Sequence, residues 1–335
     1  MLPSTPRTPR LATTVTAVLL VCASCAVGPD FVRPSAPRVE TYLPGTAPAT
    51  TVVAEGRAQH FASETTVPGE WWTLFGAAAL DRSVSEALAG NQTLAAASAN
   101  LRQSEDALRA GYGVYFPSVS ADLGASRQRA TPARLGASGP SSIFNLFTLS
   151  GSVGYLLDVF GGARRQNEAL GAEVDVQRNL ARAAYVTLTA NVVNASIARA
   201  AYRAQLIATR QLIEAATEQL GIAEAQAEAG TAPYTAVLSL RAQLAGLQAS
   251  LAPLELHAQQ ADHLLSVLAG HPPTEWSPPD IPLETFALPQ DLPTALPSSL
   301  VRQRPDVLEA EARLHVASAE VGVATAQLFP TLTVG

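Results

Sequence analysis

The backbone pattern changes within residues 145–165, which read NLFTLSGSVGYLLDVFGGARR. The first part alternates apolar with polar or small side chains, which predicts a β-strand. Asp158 follows that strand at a position suited to cap the N-terminus of a helix. The next residues are rich in alanine and free of proline, so they predict one uninterrupted helix over residues 161–229. A helix of this length predicts an elongated helical hairpin, because it cannot be wrapped into one compact globule.

A second alternating run precedes this strand, and a polar loop rich in Gly, Pro and Ser joins the two. Each run has about the length of a tilted transmembrane strand. A soluble hairpin with one face on a core would show the same alternation, so the pattern alone leaves both possibilities open. The apolar positions that alternation places on one face, and that would be lipid-facing in a membrane, are Val119, Ala121, Leu123, Phe147, Leu149, Val153, Tyr155 and Leu157.

Helical spacing and breaker residues place the remaining elements of residues 71–296. A tight reversal is predicted after the long helix by Gly230, Thr231, Ala232 and Pro233, and apolar residues at helical spacing predict a return helix behind it. In chain order, the predicted elements are helix 80–112, strands 116–127 and 145–158, helices 161–229 and 234–269, and a proline-rich connector over 271–296.

The pattern starts again after the connector. Residues 304–333 align without gaps on residues 91–120, and Phe329-Pro330 then falls on Phe116-Pro117. This alignment predicts a tandem repeat, and we expect the chain to carry an incomplete second copy of it. The parts predicted for that copy are residues 297–335 as a whole, a helix over 300–327 and the start of a strand over 329–335.

The N-terminal residues predict export and a lipid anchor. Two arginines and a short apolar stretch have the form of a lipoprotein signal peptide over residues 1–24. Small residues precede Cys25, as in a bacterial lipobox, so Cys25 is predicted to be acylated. A plain secretory signal with an incidental cysteine is the alternative. Residues 25–70, rich in proline at their start, are predicted to form a tether.

Composition argues against several classes of function. The formal net charge is -6 and all 22 basic residues are arginine, which disfavours non-specific nucleic-acid binding. The cysteines lie only in the leader, and His257 and His263 are spaced onto opposite faces of a helix, so we expect no metal site. No nucleophile elbow, phosphate loop or dinucleotide loop occurs. We therefore expect no catalytic residue and no cofactor.

A series of short motifs carries a resemblance to a known family. In order, the motifs are Cys25–Phe31 with Pro34, Trp71–Trp72, Phe116–Ser118, Leu157–Gly161 with Arg164 and Arg165, Ala229–Thr231 and Leu268–Gly270. Together they are similar to the TolC-like outer-membrane efflux proteins, specifically the lipoprotein branch of NodT type that serves RND pumps. The resemblance covers nearly the whole chain from Cys25 onward.

The resemblance implies an α+β membrane fold in which a homotrimer shares one β-barrel and continues as a periplasmic helical tunnel. The barrel would lie in outer-membrane lipid, and Cys25 would add a lipid anchor. The implied work is passive conduction of small molecules out of the cell, with energy supplied by an inner-membrane RND pump. A periplasmic adaptor would contact the tip formed by Gly230, Thr231, Ala232 and Pro233. Gating residues would belong to the second repeat, beyond Gly335.

Two other functions remain as alternatives at this point. A type I protein-secretion duct of the outer membrane shares the implied architecture, although its members usually lack the lipid. A periplasmic adaptor lipoprotein also has a long helical hairpin, but it flanks that hairpin with lipoyl-like and barrel domains instead of repeating it.

Overall fold

The computed structural model describes residues 26–35, 48–53, 58–63, 68–132, 136, 138–294 and 300–335. The predicted signal peptide and Cys25 therefore lie outside the described residues. The strands are β1 (His60–Ser63), β2 (Ser118–Ala130), β3 (Ser142–Leu157), β4 (Asp291–Thr294) and β5 (Leu332–Val334). The helices are α1 (Ala78–Gly90), α2 (Gln92–Gly111), α3 (Gly162–Glu228), α4 (Tyr234–Ala249), α5 (Leu251–Leu268) and α6 (Pro305–Ala326).

The chain divides into two compact units. The first comprises Met1–Pro34, Arg102–Val176 and Glu309–Gly335, and the second comprises Ser35–Leu101 and Gln177–Leu308. In the first unit, β2 and β3 form a long antiparallel hairpin, and β5 adds antiparallel to the helix-proximal end of β3. The sheet order is therefore β2-β3-β5.

The second unit has a buried apolar core where α1 meets the middle of α3 and the end of α5. Because the two sides of this core come from distant parts of the sequence, burial of apolar area ties them together. The fully buried side chains of the core include Leu80, Val84, Val192 and Val193, and Trp72, Leu188, Leu265 and Ile281 are nearly buried. Strands β1 and β4 form a small parallel pair in this unit.

The two long helical segments of the second unit run antiparallel. Ion pairs join Arg241 to Glu224 at 2.7 Å and Arg210 to Glu255 at 3.0 Å, and Arg199 pairs with Asp262. From one ion pair to the next, the residue on α3 moves toward the N-terminus while its partner on α4 or α5 moves toward the C-terminus. This order defines a helical hairpin with its turn at residues 229–233. Buried Arg199 also donates to the carbonyl of Pro279 at 2.8 Å and so holds the connector against α3.

Two predicted helices are each interrupted once. The predicted helix 80–112 breaks at Asn91, whose backbone is extended (φ -69°, ψ 120°). The Asn91 side chain accepts the Leu94 N–H at 3.0 Å and donates to the Leu268 carbonyl at 3.0 Å, so it caps α2 and fastens it to α5. The predicted helix 234–269 divides at Ser250, because Pro253 has no N–H to donate to the carbonyl of Ala249.

The remaining predicted bounds differ mainly at element ends. α3 runs over Gly162–Glu228 where 161–229 was expected. Strands β2 and β3 extend three residues further toward their loop than predicted, because backbone pairing continues where side-chain alternation has stopped. In the predicted helix 300–327, residues 300 and 301 are helical, residues 302 and 303 form a turn, and α6 begins at Pro305, since proline suits the first helical position. β5 covers only Leu332–Val334 of the expected 329–335.

Two segments expected to be irregular contain a strand. β1 lies in the predicted tether 25–70 and β4 in the predicted connector 271–296, and they pair in parallel with His60 opposite Asp291. Proline is tolerated in β4 because a strand at a sheet edge leaves some N–H positions unused. No helix among the described residues has an apolar stretch long enough to cross a membrane.

Candidate functional site

The β2–β3 hairpin separates apolar from polar side chains onto two faces. Directly opposed residues share a face, and Val119 lies opposite Val153 while Leu123 lies opposite Leu149. All eight positions predicted to be apolar on one face are therefore on the same face. The other face is polar: Ser120 and Ser152 are opposed, and their hydroxyl oxygens are 2.8 Å apart.

The apolar face of the hairpin is uncovered by the described residues. Leu123 is 82% exposed and Leu149 is 80% exposed, although both lie in regular, fully paired strands. Within the part of the chain that the structure describes, the helix-proximal end of β3 alone has a further neighbour, where Tyr155 and Leu157 pair with residues of β5. A continuous exposed apolar face of this kind marks a surface that meets another apolar phase or another chain.

The junction between β3 and α3 is fixed by one carboxylate. The two oxygens of Asp158 accept the backbone N–H groups of Ala163 and Arg164, both at 3.0 Å. The predicted capping role of Asp158 is confirmed by these hydrogen bonds. The Arg164 side chain lies 3.4 Å from the same carboxylate, so it pairs within the junction.

A segment near the N-terminus, residues 26–33, docks at this junction, and we call it the docked segment. The Val27 N–H donates to the carbonyl of Phe160 at 3.1 Å. Arg165 of α3 donates to the carbonyls of Val27 and Gly28 at 3.2 and 3.3 Å, and it binds Asp30 Oδ1 at 2.6 Å. This part of the predicted tether 25–70 is therefore bound to the junction, because it accepts hydrogen bonds from a buried arginine.

Arg165 is the centre of a larger polar network. Its side chain is only 6% exposed and also binds Glu168 Oε2 at 2.7 Å. The other oxygen of Glu168 lies 2.9 Å from His315 Nε2 of α6, and Phe31 of the docked segment stacks on the His315 ring at 4.3 Å. Since all three nitrogens of the Arg165 guanidinium donate hydrogen bonds, the network ties the docked segment to two helices.

Charge pairing in this network changes two pKa values. The hydrogen bond that Arg165 donates to Glu168, followed by the one it donates to Asp30, raises the pKa of Arg165 above its ordinary value. Burial of Glu168 acts to raise its pKa, but the hydrogen bonds from Arg165 and His315 outweigh that effect and hold it below 4.5. Both groups are therefore charged at neutral pH, and the network is an ionic one.

Close backbone contact sets the path of the docked segment. Gly28 has a φ of 95°, and a Cβ built on it would lie 2.4 Å from the Cα of Gly322 in α6. Gly161 has a φ of 77°, and a Cβ there would lie 2.7 Å from the Cα of Ala26. A side chain at either glycine would force the segment away from the helices.

The turn of the helical hairpin is compact and projects its residues outward. Gly230 adopts a φ of 72° after the last turn of α3, and both the N–H and the hydroxyl of Thr231 donate to the Gln226 carbonyl, at 2.9 and 3.0 Å. Ala232 is half-buried, while Thr231 and Pro233 are exposed. The four predicted tip residues are thus together in one turn.

Sequence reasoning missed Glu168 and His315, and it gave Arg165 no partner. Arg164 and Arg165, which the sequence analysis names only as part of a motif, both bind carboxylates. The sequence signal for the network is an acidic and an aromatic residue, Asp30 and Phe31, inside a proline-rich segment. Their partners, Arg165 and His315, lie far along the chain. Cys25, the predicted lipid site, directly precedes the docked segment but lies outside the described residues.

The comparisons with known proteins agree with this architecture. The family model for outer membrane efflux proteins matches residues 83–271, more than half of the chain. The chain is 30% identical over 268 residues to the pyoverdine export outer membrane protein OpmQ of Pseudomonas aeruginosa, covering 79% of this chain and 56% of OpmQ. It is 29% identical to the probable efflux pump outer membrane protein TtgC of Pseudomonas putida, covering 93% and 63% of the two chains.

Structural comparison gives the same result. The solved structure of the outer-membrane channel OprN matches with a TM-score of 0.79 and 28% identity, over 92% of this chain and 66% of OprN. The chain spans less than two thirds of the length of these curated relatives. The predicted resemblance is confirmed at the level of the family, and with it the outer-membrane assignment that the family description carries. The chain belongs to the outer membrane efflux protein family.

Proposed function

We propose that the protein acts as the outer-membrane exit duct of a tripartite RND-type efflux system and conducts small molecules passively to the exterior. The observation that carries this proposal is the β2–β3 hairpin, whose exposed apolar face adjoins a polar face and continues directly into the long helices. Membership of the outer membrane efflux family supports it. A conduit needs no catalytic residue, because its work is to provide a path.

A homotrimer is part of the proposal. Among the described residues β2 pairs with β3 alone, so its other edge has no strand partner within that part of the chain. In lipid each unpaired backbone group costs several kcal/mol by rough estimate, and only a closed barrel satisfies them all. Neighbouring copies of the chain would supply the missing strands, with the second repeat completing each protomer's share of the barrel.

The proposed partners follow from two separate parts of the chain, the turn of the helical hairpin and the N-terminal region. The turn formed by Gly230, Thr231, Ala232 and Pro233 would contact a periplasmic adaptor, which would join the duct to an inner-membrane RND pump. At the other end, acylated Cys25 would insert into outer-membrane lipid beside the docked segment. The helical hairpin would extend into the periplasm as part of a tunnel.

A complementation experiment tests the proposed function. The chain with its own leader is expressed in a Gram-negative strain that lacks its outer-membrane efflux component but keeps pump and adaptor, and cellular ethidium is measured. Reduced accumulation is expected for a small-molecule duct. Unchanged accumulation together with restored export of a protein toxin would instead indicate a type I secretion duct.

A second experiment separates a duct from an adaptor lipoprotein. Cys25→Ser removes the predicted acylation site, and the distribution of the protein between membrane and soluble fractions is compared with the parent chain. A duct stays in the outer-membrane fraction through its hairpin. Complete release by the substitution would favour the adaptor and contradict the proposal.

The tip assignment is tested by charge substitution. Thr231→Arg is expected to abolish cross-linking to the adaptor, whereas Ala245→Arg, at an exposed position on α4 away from the turn, is expected to leave it unchanged. Equal cross-linking of both variants would remove the tip from the proposed contact.

A further inference from the structure

Two arginines stand at the loop end of the hairpin, on its apolar face. Arg127 lies opposite Asn145 and Arg129 lies opposite Ile143. Both have odd numbers like Val119 and Leu123, so their side chains emerge on the same face of the sheet as the apolar positions. Both arginines are exposed, and neither forms an ion pair with any of the described residues. They are two free cations about 7 Å apart along one strand.

The length of the apolar band explains where these cations stand. Along β3 the band runs from Leu157 to Phe147, about 34 Å at the rise of an antiparallel strand. With a strand tilt of about 40°, this corresponds to about 26 Å across the bilayer, close to the height of about 25 Å of a lipid-facing apolar band. The pair Arg127 and Asn145 is the next pair beyond Phe147. The arginines therefore stand at the first level outside the hydrocarbon.

The opposite face changes character at the same level. Its side chains are Ser, Asp, Thr or Gly from Ser118 to Gly124, but Leu146 and Phe144 follow on β3 near the loop. On β3 the apolar side chains thus continue on the opposite face at this level, while β2 carries polar or charged side chains on both faces from Ser126 to Arg129, and Ile143 stays apolar opposite Arg129. The single apolar pattern of the lipid-facing side therefore ends at this level. Continuation of a single lipid-facing pattern would require the arginines to lie in hydrocarbon, at a cost of several kcal/mol on a rough scale.

We propose that Arg127 and Arg129 form a binding site for the phosphate groups of an anionic membrane lipid that surrounds the loop end of the hairpin. Guanidinium groups bind phosphate through paired hydrogen bonds, and two of them on one face can hold two phosphates or share one. The acyl chains of the same lipid would lie along Phe147 and Leu149, directly below the cations. This inference rests on the proposed membrane insertion of the hairpin, in which the loop faces outward because the other ends of β2 and β3 lead into the helices.

Lipid retention tests the inference. The chain is purified in dodecylmaltoside, incubated with diphosphorylated lipid A, and the lipid retained per protein is measured by mass spectrometry. The paired substitution Arg127→Gln and Arg129→Gln is expected to reduce retention about tenfold. The matched control, Arg102→Gln and Arg302→Gln, removes two charges from exposed arginines of the helical part and is expected to leave retention unchanged. Equal loss in both pairs would show general charge attraction and overturn the site.

Three further arms identify the source of the phosphate and check folding. Dephosphorylated lipid A is expected to be retained equally and weakly by the parent chain and the Gln pair. Inorganic phosphate at millimolar concentration is expected not to displace the lipid, and full displacement would assign the site to free phosphate and overturn it. Arg127→Lys with Arg129→Lys keeps the charge and is expected to restore most of the retention, which a folding defect would not allow.

A flotation measurement separates this inference from the proposed function. The parent chain and the Gln pair are mixed with vesicles of phosphatidylethanolamine and phosphatidylglycerol and centrifuged through a density gradient. If the parent chain and the Gln pair both float, and both retain the same amount of lipid A, only the proposed lipid site is overturned. Failure of both to float overturns the membrane insertion itself, and the site with it.

Discussion

Leu80 and Leu123 are the same residue in opposite surroundings. Leu80 of α1 is 0% exposed and packs among Val84, Val192 and Val193, whereas Leu123 of β2 is 82% exposed in a fully paired strand. The second unit covers its apolar residues with its own helices. The hairpin presents them outward, so it needs an apolar phase that the chain does not supply. The comparison shows that regular backbone pairing and side-chain burial are separate sources of stability in this protein.

The largest expected effect lies in the core. Leu80→Ala should lower the free energy of unfolding by about 2–5 kcal/mol, because it removes buried methyl groups and leaves a cavity. Urea titration followed by tryptophan fluorescence measures this effect, since all three tryptophans belong to the second unit. Leu123→Ala is the matched control and should leave the midpoint unchanged. A similar shift in both variants would mean that the hairpin stabilises the core.

The next effect concerns the bilayer. Leu123→Arg should make the free energy of insertion into vesicles less favourable by about 2–4 kcal/mol, since a lipid-facing arginine near the bilayer centre is costly. Asp122→Arg, one residue away on the polar face, should have little effect. Flotation in increasing urea compares the two variants. A larger effect at Asp122 would reverse the assignment of the faces.

A smaller effect is expected at the docked segment. Arg165→Gln removes hydrogen bonds to Val27, Gly28 and Asp30, and it should destabilise docking by about 1–3 kcal/mol. Hydrogen exchange at the Val27 amide, which donates to Phe160, should then accelerate. Arg33→Gln is the control, because the Arg33 side chain is 69% exposed in its pair with Glu311 and should contribute less than buried Arg165. Equal acceleration in both variants would argue against a central role for Arg165.

The smallest effect is a dependence on pH. The pKa of Glu168 lies below its ordinary value of 4.5 in the folded chain, so its ionised form stabilises docking at neutral pH. That stabilisation should persist above about pH 4.5 and disappear as the pH falls through the lowered pKa. Exchange at the Val27 amide, corrected for intrinsic rates, should show this step. Glu168→Gln should weaken docking at neutral pH and remove the step, and a step that survives in this variant would assign it to another group.

The hairpin and the long helix could be predicted because their signals are local. The alternation in β2 and β3 follows directly from the pleat, and the register places the eight predicted positions on one face. Gly161 and Gly230, both with positive φ, lie immediately outside α3 and end the helical pattern on each side. The loop ends of both strands lie three residues beyond the predicted bounds because backbone pairing outlasts the side-chain pattern there, as at Arg127 to Ala130.

The docked segment and the helix breaks could not be predicted because they depend on distant contacts. The prolines near Asp30 indicated an extended tether, and only Arg165 and His315, far along the sequence, convert that extended chain into a bound one. At Asn91 the apolar spacing continues through the break. Its side chain is typical of a helix cap, but the contact that makes the break useful is with the Leu268 carbonyl on α5.

The hydrogen bond from Val27 to Phe160 has a geometric consequence for the predicted anchor. Only two residue steps separate Val27 from Cys25, so the sulfur-bearing residue can reach about 7 Å at most from that fixed point. Acyl chains on Cys25 would enter the lipid beside the base of the hairpin. The short connection between the acyl chains and the junction would then restrict the depth of the strands in the bilayer, which a long flexible linker could not do.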